Sequence, residues 1–143
     1  MTSPSNRQGA EDIIKNIGKR IREVWQNAEN PQELSRIGDE LVVLNFALGM
    51  WLVDFDNEER TTKTDYELGL LAKQDSYIES GQTVSRSEIK AKLETANAKR
   101  LYNQIVSAVS KVKICRQDTA KALEMLRTRI SLIKENLKEG TNG

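Results

Sequence analysis

Residues 31–55, PQELSRIGDELVVLNFALGMWLVDF, decide the fold. Leu34, Ile37, Leu41, Leu44, Leu48, Trp51 and Phe55 recur at alternating spacings of three and four, and Val42, Val43 and Leu52 widen the stripe. A helix with one apolar side produces that pattern, whereas a strand repeats every second residue. The segment opens on Asn30, Pro31 and Glu33, which supply a cap, a proline at the first helical position and an acid in the first turn. Past Phe55 the stripe fades through Asp56 to Thr62, and Tyr66, Leu70 and Tyr77 resume it on the same side. A helix is therefore expected over 31–79, either straight or kinked near Thr61. Ser80-Gly81-Gln82-Thr83 then reads as a loop, with Gly81 suited to a helix C-terminus.

Working outward, Ile13, Ile17, Ile21, Val24 and Ala28 predict an amphipathic helix over 11–28, preceded by a polar, disordered lead-in at 1–9. On the other side, Ser85-Arg86-Ser87-Glu88 matches a capping box. From Tyr102 through Ile105, Val109, Val112, Arg116, Thr119, Leu123, Leu126, Ile130 and Ile133 to Leu137, the steps alternate by three and four without a slip. The stretch 86–139 forms either one helix or two bent near Arg116, where Arg116 and Thr119 interrupt the apolar seam, and 140–143 form a tail. The fold expected is all-α: a single domain over 10–139, an elongated, coiled-coil-like helical hairpin with a short N-terminal helix. Its stripes are too long to be covered within one chain, so a homo-oligomer is expected, with Leu123, Leu126, Ile130, Ile133 and Leu137 as the interface.

Composition narrows the chemistry. The 143 residues include no histidine and one cysteine, which removes the commonest general base, the commonest transition-metal ligand and any intrachain disulfide. Neither a Walker loop nor a Gly-rich dinucleotide fingerprint is present. Met1–Ala10 lacks an apolar signal core, and Leu41–Phe55 is too short to span a bilayer, so the chain is expected in the cytoplasm, that of a host cell if it is phage-encoded, with no membrane partner. Asp54, Asp56, Glu58 and Glu59 have the chemistry to gather Mg²⁺. All-helical nucleotide pyrophosphatases, however, place Glu-Glu-x-x-Glu on one helix and Glu-x-x-Asp on the next, and this chain completes neither. A solvated acidic side is the simpler account, and no metal, cofactor or catalytic residue is expected. Cys115, next to Arg116, reads as a packing residue.

Charge is the second organising feature. Residues 1–85 hold 9 basic and 15 acidic side chains, net −6, and residues 86–143 hold 13 and 6, net +7. Two accounts stand together: antiparallel helices pairing their charges, and a basic surface that takes up a phosphate backbone. In the second account Arg86, Lys90, Lys92, Lys99, Arg100, Lys111, Lys113 and Arg116 contact the strand. Trp25, Trp51, Tyr66 and Tyr77 read as core or interface anchors. Tyr102, following Lys99 and Arg100, is placed to stack on an unpaired base.

Ser87-Glu88-Ile89-Lys90-x-x-Leu93, then a Tyr-containing amphipathic stretch, then Leu126-Arg127-x-Arg129-Ile130-x-x-Ile133-Lys134 resemble the small phage-type recombination mediator proteins, over about residues 34–135. The chain departs from that family in being acidic over 54–79, and DNA contact is not expected there. The resemblance implies an all-helical, non-enzymatic oligomer that binds single-stranded DNA and helps load a recombinase over a single-strand-binding protein. It places the first backbone contacts at Arg86, Lys90, Lys92, Lys99 and Arg100. A helical assembly protein without nucleic-acid binding is the alternative, and a Mg²⁺-dependent nucleotide hydrolase the third.

Overall fold

The computed structural model describes residues 4–27 and 29–142, and all regular structure among them is helical: α1 (Pro4–Gln26), α2 (Pro31–Glu79), α3 (Val84–Glu94) and α4 (Ala96–Asn142). No helix among these residues is long and apolar enough to cross a membrane. Residues 1–3 of the expected lead-in, Ala28 and Gly143 lie outside the described residues.

Each helix boundary has a local cause. α2 starts where the sequence places it: Asn30 Oδ1 accepts the Glu33 N–H at 3.2 Å. α2 runs on through Thr61 without interruption. At its far end the Tyr77 carbonyl accepts the Gln82 N–H at 3.1 Å and the Ile78 carbonyl the Gly81 N–H at 3.0 Å. That closure needs a left-handed residue, and Gly81 supplies it at φ +93°.

The structure corrects four boundaries drawn from the sequence. α1 begins at Pro4, not residue 11, because Ala10 is buried and Gly9 lies against the Trp51 indole, so packing outweighs the polar composition of 4–9. The α3 cap is Thr83, not Ser85: its extended backbone directs Oγ1 to the Arg86 N–H at 3.3 Å, leaving Ser85 inside the first turn. The interruption in 86–139 falls at Thr95, not near Arg116. There the Thr95 hydroxyl donates to the Ala91 carbonyl at 2.7 Å, competing with the backbone ladder at a β-branched residue. Thr119 makes the same bond to Cys115 at 2.7 Å, yet α4 passes it unbroken. Finally, α4 takes in the expected tail as far as Asn142, since Gly140 adopts helical backbone and not a left-handed cap.

Where length suggests one domain, contacts group the chain into two compact units: a loop unit, Val53–Ser110, and a three-helix unit from the described parts of Thr2–Leu52 and Lys111–Gly143. In the three-helix unit, Ala10 and Ile17 of α1, Leu34, Ile37, Leu41 and Leu48 of α2, and Val112, Thr119, Leu123 and Leu126 of α4 are buried. Leu126 meets the backbone of α2 at Gly38 and Arg116 meets it at Gly49, so the two helices run antiparallel. A Cβ at Gly49 would lie 2.9 Å from the Arg116 guanidinium, which is how an arginine fits an apolar seam. α1 is also antiparallel to α2, joined by Arg20–Glu40 and Arg36–Glu23 ion pairs. In the loop unit Phe55, Ala91, Ile105 and Val109 are buried with Ser87 and Thr95.

Three further expectations change. Leu123 and Leu126 belong to the core of their own unit, Ile130 and Ile133 are half-buried, and Leu137 is exposed, so the five do not form one open interface. Trp25, one residue off the α1 stripe, is 72% exposed. Val42 and Val43 do not widen the buried stripe of α2 but lie on its outer side.

Leu126→Ala should therefore lower unfolding stability by about 2–5 kcal/mol in a denaturant titration, the usual cost of emptying a buried leucine site. Its exposed neighbour Met125 should change it by no more than about 0.5 kcal/mol when replaced by Ala.

Candidate nucleic-acid interface

The loop closed by Gly81 and the cap at Thr83 turn the chain back so that α3 and the start of α4 pack along the end of α2. Ser87 fixes the first turn of α3: it is fully buried, and its hydroxyl donates to the Thr83 carbonyl at 2.8 Å. Glu94 fixes the last, accepting from the Tyr77 hydroxyl and pairing with Lys73 at 3.0 Å. These partners hold the Glu94 carboxyl below the usual carboxylate range, the Tyr77 hydrogen bond first and Lys73 second, and Glu94 in turn raises Lys73. A depressed carboxyl stabilises the docked helix above the ordinary glutamate range, and that help is lost as pH falls through the lowered value. The groups are exposed, so salt screens the effect.

The expected exchange of charge between an acidic α2 and a basic α3–α4 is not what this unit contains. Its inter-helix ion pair runs the other way, with Lys73 on the acidic helix and Glu94 on the basic one. Lys90 faces the Tyr77 ring, its Nζ 5.3 Å from the centroid. Among the described residues Arg86, Lys92, Lys99 and Arg100 are exposed and have no carboxylate within ion-pair distance.

Three of these cations converge. Lys92, Lys99 and Arg100, with Tyr66, Ala96 and Asn103, line a depression of about 330 Å³ to which no carboxylate contributes. The positions follow from helix periodicity: 92, 96, 99, 100 and 103 fall on one side of α3 and α4. Tyr66 arrives from α2 and stacks on Tyr102 with centroids 6.5 Å apart and ring planes at 6°. Tyr102 thus spends a ring face on another side chain, and Tyr66 is the aromatic that borders the depression. Tyr66 and Asn103 are the residues that sequence reasoning missed. The antiparallel register of α2 and α4 was the signal available for Tyr66, and Asn103 carried none of the charge that singled out its neighbours.

The remaining expected contacts belong to the three-helix unit. Lys111 and Lys113 are exposed there. Arg116 is half-buried against Gly49 with a buried Nε that lacks a hydrogen-bond partner, so it serves the seam and does not offer its guanidinium to a phosphate. Among the described residues no group of three or more carboxylate or cysteine side chains is gathered to hold a metal ion, and Asp54, Asp56, Glu58 and Glu59 make none. Burial pushes the Cys115 thiol above its ordinary pKa, with the Thr119 hydrogen bond opposing.

No family model, curated protein or solved structure matches the chain.

The raised thiol pKa gives a direct check. At pH 8 Cys115 should react with a disulfide reagent more slowly in the native protein than in the urea-unfolded chain, since less of it is thiolate and its access is reduced. Equal rates would show that the packing around Cys115 is open.

Proposed function

We propose that the protein is a non-enzymatic, oligomeric accessory protein of phage-type DNA recombination or replication that binds single-stranded DNA with little sequence preference and assists recombinase loading. The observation that carries this reading is the depression formed by Lys92, Lys99 and Arg100 beside Tyr66 and Asn103, cationic, aromatic and free of carboxylates. Cations without internal partners neutralise phosphates and release counterions, which favours a strand regardless of its bases. An aromatic ring at the same place stacks on any base, because every base has a π-face. Repetition of the depression around an oligomer multiplies a weak affinity. The recombinase and the single-strand-binding protein enter this reading through the likeness of Ser87–Leu93 and Leu126–Lys134 to the mediator family alone.

Helical assembly without nucleic-acid binding is the second reading, supported by the apolar outer side of α2 at Val43, Phe46 and Met50.

The test is fluorescence anisotropy with a labelled oligothymidylate and a duplex across a salt series. Single-stranded DNA should bind, and its affinity should fall steeply with salt. Lys99→Ala with Arg100→Ala should reduce the log–log slope by roughly 1. Tyr66→Ala should lose about 1–3 kcal/mol of binding with helicity unchanged. Binding by the double variant that equals wild type, or no binding at low salt, gives the ground to the second reading.

A further inference from the structure

From Leu41 to Leu52, twelve consecutive residues of α2 in the three-helix unit carry no charge, in a chain that is 30% charged. Leu41 and Leu48 are buried. On the opposite side Val42, Val43, Phe46 and Met50 are 44%, 67%, 70% and 63% exposed. At 3.6 residues per turn these four fall within an arc of about 100° and a length of about 12 Å. A helix apolar on both sides is ordinarily covered on both, and a patch rich in aromatic and methionine side chains and depleted in charge has the make-up of an interface centre.

We infer that this outer side of α2 is a self-association surface, occupied by the same surface of a second copy running antiparallel to it. Its layout is self-complementary. Phe46 stands four residues from Val42 and four from Met50. A two-fold axis at Phe46 therefore sets Phe46 against its equivalent and the valines of one copy against Met50 of the other. Parallel pairing would instead bring Asp39, the preceding charged residue on this side, against its own copy. The border of the surface also fits the occupant. A depression of about 400 Å³ between α1 and α2, lined by Asn16, Arg20, Asp39, Glu40, Val43 and Leu44, adjoins Val43 where the partner's methionine arrives. A flexible thioether suits such an irregular space. The four side chains leave roughly 400 Å² of apolar surface per copy, the size at which patches mark interaction sites. Two copies with their polar rims reach about 1,000 Å², the lower bound for a specific interface.

This inference does not rest on DNA binding, and one set of proteins separates the two. Light scattering at tens of micromolar should give wild type a mass of at least twice 16.2 kDa, and Phe46→Glu should weaken self-association at least tenfold with the far-ultraviolet spectrum of wild type. In a Cys115→Ser background, oxidation should link Phe46→Cys to its own equivalent but leave Trp25→Cys, equally exposed, unlinked. Oligothymidylate binding by Phe46→Glu, measured alongside, reports on the depression alone. A monomeric wild type overturns the inference, as does a Phe46→Glu protein of unchanged mass. So does a Phe46→Glu protein that loses helicity, which would make the side chain part of a core, and so does Phe46→Cys linking no faster than Trp25→Cys.

Discussion

The antiparallel packing of α2 on α4 is the constraint on which the rest depends. Leu34, Ile37, Leu41 and Leu48 on one helix, with Val112, Leu123 and Leu126 on the other, are buried along it. Each fully buried aliphatic side chain contributes about 1.5–3 kcal/mol relative to exposure. The packing is tight enough that α2 places glycine where Leu126 and Arg116 arrive. Because apolar side chains recur by three and four on both helices, a slip of one residue would rotate leucines into water, so the seam sets the register as well as the stability. In the loop unit, the same antiparallel course of α2 and α4 brings Tyr66 to Tyr102, and Glu94 of α3 meets Lys73.

Much of this was legible in the amino-acid order. The spacing from Leu34 to Phe55 and from Ile105 to Leu126 announced helices with one buried side, and Asn30, Pro31 and Gly81 marked their ends, because these signals are local. What stayed hidden depends on competition or on tertiary neighbours. Arg116 looked like the weak point of the seam, but Gly49 opposite it removes the clash, and the break falls at Thr95, where a hydroxyl competes for a backbone carbonyl. Val42 and Val43 looked like a broadening of one stripe and are instead part of a second one, a distinction that depends on where α1 and α4 lie. Leu123 and Leu126 looked available for a partner because the sequence does not say how much of α4 its own α2 covers.

The candidate site was legible in charge and obscure in shape. An excess of cations after residue 85 was plain, and so was their proximity to a tyrosine. Which of them converge was not, since that depends on the cap at Thr83 and on Glu94 being held by Tyr77 and Lys73. Those contacts use up the acid nearest the C-terminus of α3 and leave Lys92, Lys99 and Arg100 to each other. Like charges held close cost free energy, and an arriving phosphodiester relieves that cost while it gains its own contacts.

The central claim is that this depression takes up a single strand. Heteronuclear NMR of the labelled protein titrated with a short oligothymidylate at low salt tests it most directly. The account predicts shift changes at Tyr66, Lys92, Lys99, Arg100 and Asn103, with Leu34, Leu41 and Leu48 of the seam unmoved. Changes confined to other residues, or none at saturating oligonucleotide, would contradict it.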